Sequence, residues 1–128
     1  QKASREVYLG NTLDYHRFYQ EVNARLGPGD KVLLFREIRG YHLDAAYQWG
    51  DPVNQTLIAY RKLPDAPALA ARLKELGITH VLVNAGLGMY GPNQDYYDRR
   101  TLALMDETLS RFGVRVAGDG ALSLHVLR

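Results

Sequence analysis

The densest set of reactive side chains lies in "FREIRGYHLD", where Arg36, Glu37, Arg39, Tyr41, His42 and Asp44 crowd one short segment. Following the first strand, this cluster stands where a ligand site would be built, although the residue types do not name the ligand. The plainer expectation is that Arg36, Glu37 and Arg39 form a solvated ion-pair set on an exposed loop, contributing little energy. A second segment, "VNAGLGMYGPN", spells G-x-G-x-x-G with Gly86, Gly88 and Gly91, flanked by Asn84 and Tyr90. Glycines in that pattern let backbone N–H groups approach a pyrophosphate, provided they sit at a strand-to-helix bend. The four histidines, His16, His42, His80 and His125, show no i, i+4 pairing of the kind that ligates a metal. His16 and His80 read as surface or half-buried positions. No G-x-S-x-G elbow presents Ser4, Ser110 or Ser123 as a nucleophile.

The timing of the glycine loop argues against a phosphate cradle. Pro92 and Asn93 follow Gly91, and the next helical pattern starts near Asp95, which leaves the third glycine outside the helix. Asp95 and Asp98 in a first helical turn would satisfy its N–H groups and repel a phosphate. No acidic residue stands at the tip of a following strand about 20 residues on, where a ribose would need it. The segment reads as a glycine-rich surface loop, with nucleotide binding through Gly86, Gly88 and Gly91 as the alternative.

These segments must be positioned by alternating helices and strands. Tyr15, Phe18, Tyr19, Val22 and Leu26 recur at helical spacing behind a cap at Asn11 or Thr12, and Gly27 and Pro28 end the stripe. Lys31 to Phe35 then forms a short apolar run suited to a strand buried on both faces. The pattern recurs: Asp65 caps a helix with Leu69, Leu73 and Leu76 on one side, Gly77 offers a left-handed exit, and Val81 to Asn84 reads as a strand. Leu102, Met105, Leu109 and Phe112 mark a third helix with Gly113 at its exit, followed by a hairpin turning at Asp119 and Gly120. Between them, "AAYQWGDP" supplies a strand ending at Gly50 to Pro52 and "NQTLIAYRKL" a short helix. The expected fold is α/β, a three-layer Rossmann-like sandwich with a mainly parallel sheet and a C-terminal antiparallel hairpin. In such sheets ligands bind beyond the carboxyl ends of strands, which selects the Arg36–Asp44 and Asn84–Tyr90 loops as candidate binding segments.

Composition narrows the function classes. The 128 residues, with 46% hydrophobic and 23% charged content, suit a single α/β domain over residues 1–128. A formal charge of +2, spread along the chain, provides no nucleic-acid footprint. With no cysteine, disulfides, thiolate catalysis and cysteine-ligated metals are excluded. No run approaches the roughly 20 apolar residues of a membrane span, and no signal-peptide pattern appears. The residue types indicate no metal and no cofactor. Nine tyrosines and Trp49 are suggestive, since flat rings with a polar tip suit carbohydrate faces and wet interfaces. Gln1, where a translated chain carries methionine, suggests a piece cut from a longer protein.

The order "SREVYLG", "LGPGDKVLLFREIRGYHLD", "WGDP", "LKELGITHVLVN" and a terminal hairpin resembles the soluble C-terminal region of polytopic bacterial membrane glycosyltransferases of the GT-C type, mannosyltransferase-like enzymes among them. It covers about Ser4 to Leu127. The resemblance implies a non-catalytic accessory domain, structural or in contact with acceptor or glycan, in an enzyme that uses a polyprenyl-phosphate-linked sugar. It implies a place on the extracytoplasmic (periplasmic) face of the cytoplasmic membrane, tethered through an N-terminal transmembrane region. The implied partners are the membrane-embedded part of the same chain and a glycan acceptor or lipid-linked sugar. The family's catalytic carboxylate belongs to the membrane part and matches no position here, so no catalytic residue is carried over. A free-standing protein- or glycan-interaction module is the third reading; it predicts an exposed aromatic patch.

Overall fold

The computed structural model describes residues 16–37, 39–53, 55–86 and 97–128. Among them the chain forms one open five-stranded mixed sheet with three helices. The elements run α1 (16–25), β1 (Lys31–Phe35), β2 (Ala46–Trp49), α2 (Ala66–Glu75), β3 (His80–Asn84), α3 (Arg99–Phe112), β4 (Gly113–Asp119) and β5 (Leu122–Leu127). Short 3-10 turns lie at Gly40–His42 and Tyr60–Lys62, the second standing where a short helix was expected. Strand order is β2-β1-β3-β5-β4. β1 pairs in parallel with β2 and β3, whereas β5 runs antiparallel to both β3 and β4. The sheet is therefore evenly mixed rather than mainly parallel, because the terminal hairpin adds two antiparallel pairings to the two parallel ones.

Alternation along β1 explains how both faces are covered. Leu33 and Phe35 join Leu69 and Leu73 of α2 and Leu104, Met105 and Leu109 of α3 in one core cluster. Val32 and Leu34 point the other way and join Phe18, Tyr19 and Val22 of α1 with Leu122 and Leu124 of β5. A strand buried on both faces loses the polar alternation of a half-exposed one, which is why Lys31–Phe35 reads as a continuous apolar run. The β1–β2 connection places Leu43 in the α1-side cluster, while the β2–β3 connection sends α2 across the opposite face. The first connection moves outward from β1 to β2 and the second moves back from β2 past β1 to β3, so the two must use opposite faces if both have the same hand.

Local signals set most of the helix ends. Asp65 accepts the Ala68 N–H at 3.0 Å and caps α2, and Gly77 leaves it at φ 77°. α3 starts at Arg99, not near Asp95, which lies outside the described residues together with Asn11, Thr12 and Tyr15. Asp98 is its cap rather than a first-turn residue; its carboxylate accepts the Thr101 N–H at 2.8 Å. The buried side of α3 is Thr101, Leu104, Met105, Thr108 and Leu109, so Leu102 and Phe112 lie at the margin of the expected stripe. Gly113 does not turn left-handed. Its backbone is extended, at φ −122°, and runs directly into β4, so close to the helix that a Cβ would stand 2.9 Å from the Leu109 carbonyl oxygen.

Candidate functional site

The carboxyl ends of β1 and β3 lie side by side, since Phe35 and Val83 are register partners. Because β1 is followed by an outer neighbour on one side and β3 on the other, the chain leaves these two ends in opposite directions. Arg36 sits at this divergence with φ 63°, a left-handed conformation unusual for a side-chain-bearing residue. Its backbone N–H donates to the Tyr97 phenol at 2.9 Å, and its guanidinium donates to the Ala85 carbonyl at 3.3 Å. Tyr97 is fixed in turn by a T-shaped contact with Phe35, ring centroids 4.6 Å apart. On the β3 side, the Asn84 side-chain oxygen accepts the Gly86 N–H at 3.0 Å, folding the first step of the glycine loop onto the strand end. Gly88, Tyr90 and Gly91 lie outside the described residues.

The rest of the polar segment turns away toward α1. Glu37 is not solvated: it is 2% exposed. Its carboxylate accepts from the Arg39 guanidinium at 2.7 and 2.6 Å, the two-point geometry of a strong charge-assisted pair. The expected exposed ion-pair loop is thus corrected to a buried carboxylate paired with its own neighbour Arg39. Asn23 of α1 donates to the His42 carbonyl at 2.8 Å and accepts the Asp44 N–H at 2.9 Å, clasping the connection to the helix. His42 packs against Tyr41, Tyr19 and His16, with ring centroids 4.4, 5.2 and 5.7 Å away. Desolvation lowers its pKa, with the nearby His16 and Arg39 charges adding to the effect and Glu37 opposing it.

The eight candidate residues that are described therefore divide. Arg36, Asn84 and Gly86 share the divergence between β1 and β3, whereas Glu37, Arg39, Tyr41, His42 and Asp44 line the flank against α1. On that flank, Asp44 and several aromatic residues are open to solvent. Tyr41 is 74% exposed, and on the edge strand β2 Tyr47 is 41% and Trp49 44% exposed. Tyr47 and Trp49 are two residues apart and share a strand face. Gly40 lies directly beneath the Tyr47 ring, and a Cβ there would collide with it. This absence of a side chain lets the Tyr47 ring lie over the backbone of the turn that carries Tyr41.

Two buried polar groups escaped sequence reasoning. Asp51, 3% exposed just beyond β2, accepts the Val53 N–H at 2.8 Å. The Tyr60 phenol donates to the Gly50 carbonyl, and burial pushes its pKa well above the usual value, reinforced by Tyr97 and Asp51. His80, expected at or near the surface, is 6% exposed: its Nδ1 lies 2.8 Å from the Thr79 hydroxyl and 3.9 Å from Asp30. Strand alternation could have signalled it, since His80 stands in register with Val32 on the apolar β1. Among the described residues, no three His, Asp or Glu side chains gather as a metal site, and no helix is long and apolar enough to cross a membrane. Comparison with protein-family models, with curated proteins and with solved structures finds no match to this chain.

Proposed function

We propose that this chain is a non-catalytic, glycan-contacting accessory domain of a membrane glycosyltransferase that draws its sugar from a polyprenyl-phosphate carrier. The observation that carries this reading is the exposure of three rings, Tyr47 and Trp49 on the edge strand β2 and Tyr41 in the turn before it. A flat ring covers the C–H face of a pyranose, and a phenol or indole N–H at its rim reaches a hydroxyl, so adjacent rings suit an extended saccharide better than a small ion. The sequence resemblance supplies the enzyme class and the extracytoplasmic location on a membrane tether. The sheet order β2-β1-β3 with helices on both faces supports the finer reading of a three-layer Rossmann-like sandwich extended by a hairpin.

Nucleotide binding has less support. Asp98 occupies the N-terminus of α3 with its own carboxylate, and the Asn84 side chain already takes the Gly86 N–H. A free-standing interaction module draws on the same exposed rings and differs in the size of the native chain.

Two measurements test the proposal. Fractionated cells should show this sequence in a membrane-bound polypeptide much heavier than 14.4 kDa; a membrane-free chain of about that mass would overturn the glycosyltransferase reading. Titration of the 128-residue chain with soluble oligosaccharides should quench Trp49 fluorescence saturably and lose that response in Tyr47→Ala. An unchanged response in Tyr47→Ala would remove the glycan-contacting role.

A further inference from the structure

The hairpin has one apolar face and one polar face, and the polar one is turned under a helix. Leu122 and Leu124 of β5 join Ala117 of β4 in the α1-side core. The alternate residues Ser123 and His125 face α3, in register with Val83 and Val81 of β3. Arg115 of β4 pairs with His125, and Gly118 pairs with Ser123. A half-buried hydroxyl and imidazole thus lie where a sheet beneath a helix would ordinarily be apolar, with the exposed Arg115 at their edge.

Between these groups and α3 opens a cavity of about 640 Å³. Asp106 and Ser110 of α3 line it on one side, with Ser123, His125 and Arg115 on the other and Arg36 from the end of β1. Phe35, Val83, Leu102, Met105 and Leu109 provide an apolar floor. The lining carries the Arg115 and Arg36 guanidiniums and the Asp106 carboxylate; burial and the nearby Arg115 charge lower the pKa of His125, with Asp106 opposing. Ser123 and His125 are already joined, Oγ to Nε2, at 2.9 Å, which orients the imidazole.

The position of Arg115 is set by a second residue. Its guanidinium lies so close over Gly118 that a Cβ at that position would collide with it. Glycine there lets the charged end lie along the strand from His125 toward Ser123. The backbone of Gly118 is not left-handed, so its missing side chain is not required by a turn.

We propose that this cavity binds a small oxyanion, a carboxylate or a phosphate monoester, carried on an apolar body. Arg115 and Arg36 hold the charge, Ser123 and Ser110 complete its hydrogen bonds, and the Phe35 and Met105 floor receives the apolar part. The site is separate from the exposed aromatic rings at β2 and does not depend on the glycan reading.

The test titrates the isotope-labelled 128-residue chain, at pH 7.5, with benzoate, phenyl phosphate and the neutral benzamide. Saturable amide shifts at Ser123, His125 and Arg115 with either anion, and none with benzamide, are expected; the tighter anion identifies carboxylate or phosphate as the head group. Arg115→Gln should weaken binding at least about fivefold, Arg115→Lys less, and Gly118→Ala should weaken it without any change of charge. Spectra of the free variants verify that each is folded. Equal binding of benzamide, no saturable shift with either anion, or full affinity in both Arg115→Gln and Gly118→Ala would overturn the proposal.

Discussion

The backbone N–H of Arg36 donates to the phenol oxygen of Tyr97 at 2.9 Å, joining the end of β1 to the residue just before the cap of α3. The contact closes the divergence between the parallel strands with a side chain instead of a backbone partner. Tyr97→Phe keeps the ring on Phe35 but leaves that N–H without its acceptor, so a loss of about 1–2 kcal/mol in urea-unfolding stability is expected. A loss below the error of the titration would show that the bond contributes nothing net.

Arg36 itself adopts φ 63°. A Cβ in the left-handed region costs about 1 kcal/mol relative to glycine, which adopts it freely. Arg36→Gly should therefore unfold at higher denaturant than Arg36→Ala, by roughly that amount, although both lose the guanidinium contact to Ala85. Equal stability in the two variants would mean that the backbone relaxes once the arginine is gone.

The Glu37–Arg39 pair makes a sharper prediction because its carboxylate side chain is fully buried. Arg39→Met strips a buried charge of its two-point partner, and a loss of about 3 kcal/mol or more is expected. Adding Glu37→Gln to that variant should recover part of it, since a neutral amide is far less costly to bury than a carboxylate. Failure of the double variant to recover stability would show that the charge is compensated elsewhere.

That pair also marks where sequence reasoning stops. Strands β1 and β3 and the cap Asp65 were legible because each follows from local pattern: an apolar run of strand length, or an acid ahead of a helical stripe; Asp98, read as a first-turn residue, is instead the cap of α3. Glu37 was not, because burial of a carboxylate in a polar segment is a tertiary outcome that local pattern does not carry. The same holds for the cavity beneath α3. The i, i+2 spacing of Ser123 and His125 placed them on one face of a strand, yet only the packing shows that α3 stands over that face. The balance of parallel and antiparallel pairing escaped for a related reason: the hairpin's register is local, while its insertion beside β3 is a tertiary choice.

The histidines predict how stability varies with pH. Burial lowers the pKa of His80, against the opposing pull of Asp30; it is also the largest cause of the lowered values of His125 and His42. A histidine whose folded pKa is depressed binds fewer protons folded than unfolded near its ordinary value of 6.5. Its contribution is therefore fully present above about pH 6.5 and is lost as pH falls through that value toward the folded pKa. Urea midpoints should decline between pH 7.5 and 5.5; Asp98, lowered by its bond from Thr101, adds a loss only below its ordinary 3.8. His80→Gln should flatten the decline, and Asp30→Asn should steepen it by removing the charge that favours protonated His80. A midpoint independent of pH across that window would show that the three imidazoles protonate as readily folded as unfolded.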